Sequence, residues 1–154
     1  MISVRTLTSI SGMKPSKALV VVGDADALVA LVYGEDAMHK RSRAVAERLT
    51  ALKAAVVFPV TAVLEAVTVL QRKLASPAAA AQIVKLLNSG QLVTEPVNET
   101  LLKEASRHLN LAGSKRNTLF DAVVYACAKE RGAGAIFSFD SWYQKQGITL
   151  AEEL

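Results

Sequence analysis

Apolar and polar positions fall in blocks along this chain, and the blocks predict a succession of short strands and helices. Ala18–Val22 is an unbroken apolar run ending in three valines, the pattern of a strand buried on both faces. Gly23 closes it and Asp24 follows; Asp24 or Asp26 can cap a short helix that reaches Tyr33 and stops at Gly34. From Ala37 to Lys53, the positions Ala44, Val45, Leu49 and Leu52 form an apolar stripe at helical spacing. Ala55–Phe58, closed by Pro59, reads as a second strand. Thr61 to Leu74 reads as a helix capped by Thr61, and Ser76-Pro77 as the cap and first position of another that runs to Leu87. Gln91–Thr94 is a third strand candidate, and Asn98–Leu111 a helix terminated by Gly113. A basic loop, Gly113-Ser114-Lys115-Arg116-Asn117, precedes a helix that runs to Arg131 and ends at Gly132 and Gly134. Ala135–Ser138 is a strand with Asp140 just beyond it, followed by a helical turn with Trp142 and Tyr143 and a last strand candidate, Ile148–Leu150.

Short strands alternating with helices predict a single α/β domain, with a short, mostly parallel central sheet flanked by helices on both faces. Nothing splits residues 17–154. Residues 1–16 are polar, rich in Ser and Thr, and read as a loose leader without the apolar run of a signal peptide; Met13 offers a second start beside Met1. The apolar stretch from Ala18 to Tyr33 is interrupted by Asp24 and Asp26, which makes it costly in lipid and excludes it as a membrane span.

Composition narrows the class. With 154 residues, 51% of them hydrophobic, the chain can bury a core unaided, and 21% charged residues argue against disorder. A single cysteine, Cys127, cannot form an internal disulfide, so the expected compartment is the cytoplasm. The net charge of +4 favours contact with a polyanion without naming one.

Four carboxylates carry the candidate chemistry. In a parallel sheet, sites form beyond the carboxyl ends of the strands where strand order reverses. Asp24 and Asp140 each follow a strand, which brings acids far apart in sequence to one sheet edge. Glu65 interrupts an otherwise apolar helix, on a polar line with Thr61, Thr68 and Arg72. Asp121 begins a helix, where the dipole also favours an acid for purely structural reasons. Clustered carboxylates raise each other's pKa, and a divalent cation with a preference for oxygen relieves the conflict.

The ordered segments Val20-Val21-Val22-Gly23-Asp24-Ala25-Asp26, Pro59-Val60-Thr61-Ala62-Val63-Leu64-Glu65, Asn117-Thr118-Leu119-Phe120-Asp121-Ala122 and Ala135-Ile136-Phe137-Ser138-Phe139-Asp140 resemble the PIN-domain family, in particular VapC-like toxins, from about Val20 to Ile148. The resemblance implies an acidic, metal-binding site of Asp24, Glu65, Asp121 and Asp140, and endoribonuclease activity dependent on Mg²⁺ or Mn²⁺. Ser138 fills a place where the family often has Ser or Thr, and Asp26 stands where Asn or Ser is frequent. Asn117, one turn before Asp121, and these two residues are the expected supports of the acids. RNA as substrate, a small antitoxin as partner and a homodimer are further implications.

Several side chains admit two readings each. The cluster around Arg41 and Arg43, the pair Arg72 and Lys73, and the pair Lys115 and Arg116 could contact RNA phosphates or simply face solvent. Arg72 is favoured because it shares the Glu65 face. Trp142 and Tyr143 could stack on bases but fit core packing better. Cys127 reads as core. Asp24-Ala25-Asp26 after a strand is also similar to the first motif of haloacid-dehalogenase-like phosphatases, but no later Lys or paired acidic motif follows. The same acids are also compatible with a PIN nuclease that processes RNA without an antitoxin. A PIN-like binding module without catalysis would lack some of them, and all four are present.

Overall fold

The computed structural model describes residues 17–113 and 115–154, so the leader expected over residues 1–16 lies outside the described residues. The chain runs β1 (Val20–Gly23), α1 (Ala25–Val32), α2 (His39–Ala51), β2 (Ala55–Pro59) and α3 (Val60–Thr68), which continues into a π-helical turn over Val69–Lys73. It goes on through α4 (Pro77–Asn88), β3 (Thr94–Glu95), α5 (Glu99–Ser106), α6 (Leu119–Arg131), β4 (Ala135–Phe137) and α7 (Trp142–Lys145) to a 3₁₀ turn at Ala151–Glu153.

The four strands form one sheet in the order β3-β2-β1-β4, with every pair parallel. β1 is central. Val21 pairs with Val56 on one side and with Ala135 on the other, so strand order reverses between β1 and β4. Alternation along β1 divides the core. Val21 belongs to a cluster with Leu28, Leu49, Leu70 and Ile83 from α1 to α4. Val22 belongs to a second cluster with Val123, Val124, Cys127 and Ile136 from α6 and β4. The sheet is therefore covered on both faces, as its uninterrupted valines require. Gly23 is dictated by packing, since a Cβ there would overlap the Phe58 ring of β2.

The predicted elements are all found, with shifts that have local causes. α3 starts at Val60 directly after Pro59, so Thr61 lies inside the first turn and makes no cap. Pro77 does open α4. The third strand comes later than expected, because Leu92 is drawn into the core and the ladder with β2 begins only where Phe58 N donates to Val93 O (2.9 Å). α5 is capped by Asn98, which accepts from Leu101 N at 2.8 Å, and it stops at Ser106 rather than Leu111, whose side chain is exposed. α6 ends at Gly132 with φ 58°, a left-handed conformation that glycine adopts without strain. The expected last strand reduces to one parallel bridge between Ile136 and Leu150 before the chain turns away.

Candidate active site

The carboxyl ends of β1 and β4 lie side by side, and the ladder continues one bond beyond them: Asp24 N donates to Phe137 O at 3.0 Å. Asp24 is the N-cap of α1, its Oδ1 accepting from Ala25 N at 2.7 Å. It is only 4% exposed, so its charge needs compensation from the protein or from a bound cation. Part of that comes from Tyr143 on α7, which is fully buried and donates from its hydroxyl to Asp24 Oδ2 at 2.7 Å.

The other acids gather around this pair. Asp140 accepts from Asn117 Nδ2 at 3.1 Å through one oxygen and from Trp142 N at 2.8 Å through the other. Asp121, the third residue of α6, accepts from Thr118 N at 2.6 Å as half of a capping box. Asp121 thus closes the helix start, and its charge is felt by Asp24 and Glu65. Asp26 accepts from Ala27 N (2.7 Å) through Oδ1, and from Phe139 N (2.8 Å) and Ser138 Oγ (3.0 Å) through Oδ2. Ser138 Oγ also accepts from Asp140 N at 3.1 Å. Asp26 and Ser138 therefore clamp the loop after β4 against the start of α1. Glu65 differs from the rest: it is half-buried on α3 and accepts no hydrogen bond among the described residues.

The carboxylates feel one another. Burial raises the pKa of Asp24 well above the ordinary range, and Asp26 and Asp121 push it further, against the lowering effect of the Tyr143 hydrogen bond. Desolvation raises Asp26 despite its bonds to Phe139 and Ser138, and Asp140 adds to the shift. For Asp121, desolvation again leads, opposed by Thr118 and reinforced by Asp140. Glu65 is pushed up to about 7 by desolvation first, then by Asp121 and Asp26. Five acids, from α1, α3, α6 and the ends of β1 and β4, thus share one electrostatic site.

Among the described residues no group of three or more His, Cys, Asp or Glu side chains is placed so as to hold a metal ion. Mg²⁺ does not need one, because it binds through one or two carboxylates and fills its octahedron with waters and substrate phosphates. The donor set is all oxygen, which suits Mg²⁺ or Mn²⁺ better than zinc. One turn before Glu65, the Thr61 hydroxyl is buried without a partner among the described residues. Unmet polar groups and uncompensated negative charge are what a hydrated divalent ion would satisfy.

The basic residues are less unified. Arg41 pairs with Glu152 and lies 5.4 Å from the centre of the Phe139 ring. Arg43 is exposed on α2, and Lys115 and Arg116 are exposed in the turn before α6. Beside the acids, a cleft of about 350 Å³ is lined by Asp26, Glu65, Val69 and Phe139 among others, and the cation on its wall is Lys73; Arg72 is not among its lining residues. A larger cavity, about 490 Å³ between α5 and α6, contains none of the acids. Burial pushes the Cys127 thiol up to about 11, in keeping with a core role.

Residues 21–147 match the PIN domain family model, and the chain belongs to the PIN-domain family. The fold is VapC-like: the crystal structure of Mycobacterium tuberculosis VapC20, a toxin that cleaves the sarcin-ricin loop, superposes with a TM-score of 0.71 over 84% of this chain and 96% of that one, at 22% identity. No curated protein sequence matches the chain. Two contributors to the site were underrated by sequence reasoning. Tyr143 appeared there as a packing or stacking residue, and only the hydroxyl on an otherwise core-like aromatic hints at a polar partner. Lys73 was weighed beside Arg72 as a phosphate contact and ranked below it, because a regular helix puts Arg72 on the Glu65 face.

Proposed function

We propose that this protein is a divalent-metal-dependent endoribonuclease that hydrolyses RNA phosphodiester bonds, and that it is the toxin of a toxin–antitoxin pair. The observation that carries the catalytic part is the set of mutually raised carboxylates at the reversal of strand order, an arrangement that is unfavourable without a cation. Asp24, Glu65, Asp121 and Asp140 would hold Mg²⁺ or Mn²⁺. A bound ion of this kind supplies an acidified water and positive charge for the phosphodiester in its transition state.

The protein's own part is to fix the acids before substrate arrives. Tyr143 and Ala25 N hold the Asp24 carboxylate from two sides, Asn117 and Trp142 N hold Asp140, and the Thr118 capping box holds Asp121. Asp26 and Ser138 set the loop that carries Asp140. Arg43, Arg72, Lys115 and Arg116 are the cations proposed to meet flanking phosphates, with Arg41 available if it leaves Glu152. The segment after β4 carries the one acid Asp140 rather than a pair, and no Lys of the phosphatase pattern follows, which disfavours the phosphatase reading.

The toxin part draws on the likeness to VapC20. It carries with it a small antitoxin, a homodimer and a cytoplasmic location; among the described residues no helix is long and apolar enough to cross a membrane. Purified protein should cut a structured RNA only with Mg²⁺ or Mn²⁺, and Asp24→Asn and Asp121→Asn should abolish cutting. Full activity in excess chelator, or in both variants, overturns the mechanism. Growth arrest on expression, relieved by co-expression of a small neighbouring protein, tests the toxin assignment against an RNA-processing nuclease.

A further inference from the structure

The cleft beside the acids has a construction that a regular helix would not give. Glu65 and Lys73 are eight residues apart, and in an α-helix of 3.6 residues per turn Lys73 would be carried about 80° around the axis from Glu65. The π turn over Val69–Lys73, in which Leu74 N donates to Val69 O at 3.0 Å, winds fewer degrees per residue. Glu65, Val69 and Lys73 consequently line the same cleft. Turns of this kind inside α-helices are frequent at functional sites.

The cleft's chemistry is graded. Asp26 and Glu65 stand at the end shared with the acidic site; Val29, Met38, Val69, Leu74 and Phe139 make apolar walls. Lys73 is exposed and forms no hydrogen bond or ion pair among the described residues. Asp36 also lines the cleft; its Oδ1 accepts from Met38 N at 2.7 Å, and its second oxygen accepts nothing among the described residues. A volume of about 350 Å³ is at the small end of ligand sites, which run from about 300 to 1,000 Å³.

We propose that this cleft is a subsite for one unpaired nucleotide of the RNA next to the cleaved bond, its base held on the apolar walls and Phe139, its phosphate met by Lys73, and an N–H on the base edge donating to Asp36. Unpaired bases are recognised in this way, by aromatic contact together with hydrogen bonds to their edges. Asp36 accepts an N–H of the base edge, an amino group of adenine, cytosine or guanine or the ring N3–H of uracil, and so orients the base without excluding any. The subsite rests on the nuclease reading for its place beside a cleaved bond, but the binding of a nucleotide to it does not require cleavage.

Two measurements separate the claims. Metal-free protein with labelled methyl groups is titrated with AMP, CMP, GMP and UMP and followed by NMR. The signals of Val29, Met38, Val69 and Leu74 should move saturably. In parallel, Lys73→Ala should raise KM for an unpaired RNA oligonucleotide by about tenfold with kcat held, the pattern of lost uniform binding, and Asp36→Asn, which sets an amide donor against the base N–H, should weaken nucleotide binding. Both substitutions lie at partly or fully exposed positions and leave the core intact. Nucleotide binding in the cleft by a protein that cuts no RNA would uphold the subsite and sink the nuclease reading. An active nuclease whose cleft signals ignore all four nucleotides, or answer only to a peptide, overturns the subsite, as does an unchanged KM in Lys73→Ala.

Discussion

The Tyr143 hydroxyl donates to Asp24 Oδ2 at 2.7 Å, and both side chains are buried. The Tyr143 hydroxyl is held far from ionisation by desolvation first and by the Asp24 charge next, so it acts as a donor at any working pH. Removing that donor strands a desolvated carboxylate oxygen whose other contact, to Ser138 Oγ, is long at 3.4 Å. Tyr143→Phe should therefore lower metal-free stability by about 1–3 kcal/mol, read by urea melts. It should also cut RNA cleavage by about 10–100-fold, as losses of ligand-orienting groups do. Unchanged melts and rates would show that the bond carries no weight.

Asp26 and its substitutions separate a clamp from a ligand. Its two oxygens accept three hydrogen bonds, two of them from the loop that carries Asp140. Asn retains an oxygen that can accept from Phe139 N and Ser138, whereas Ala retains none. Asp26→Asn should keep most of the cleavage rate and Asp26→Ala should lose at least about tenfold, the low end for ligand-supporting groups. If the two variants lose activity equally, Asp26 acts through its charge.

Glu65 sets a pH dependence. Its pKa is about 7 in the fold, against an ordinary glutamate value of about 4.3 in the unfolded chain. Between these values the unfolded state loses a proton that the folded state keeps, so stability is fully present at low pH and declines as pH rises through about 7. Half-exposure limits the size of the effect. Metal-free protein should have a higher Tm at pH 5.5 than at pH 8 from this group, and Mg²⁺ should raise Tm more at pH 8, where it no longer competes with the proton. A Mg²⁺ effect independent of pH would count against Glu65 as a ligand.

Glu65→Gln should split stability from function. It removes a charge that Asp121 and Asp26 repel and keeps the shape of the side chain. The metal-free variant should melt at or above the wild type at pH 8, while RNA cleavage falls by at least about 100-fold, on the scale of losing a transition-state electrostatic partner. A variant both less stable and fully active would reverse this assignment.

How much of this was legible beforehand depended on the range of the interactions. Asp24 and Asp140 could be placed because an apolar run followed by an acid is a local signal, and a parallel sheet puts such ends together. Pro77 and Gly132 announced helix ends through their own backbone restrictions. The Tyr143–Asp24 bond joins residues 119 apart, and nothing in the periodicity of either segment encodes it. The three acceptor bonds of Asp26 were likewise invisible; only its departure from the family's usual Asn or Ser marked it. The π turn escaped because a helical wheel assumes a constant pitch, and that assumption ranked Arg72 above Lys73 on the Glu65 face, whereas Lys73 is the cation that lines the cleft with Glu65.

The position of β1 between β2 and β4 has a consequence for biosynthesis. Val21 finds its neighbour Val56 early, but its other neighbour, Ala135, belongs to the last strand to be made. Pairings of such high contact order close late. A chain still emerging from the ribosome can carry Asp24 and Glu65 in place, yet it lacks the strand that brings Asp140 and the turn that brings Tyr143. The proposed site is in this way completed only after β4 and α7 have been made, long after the strand that carries Asp24.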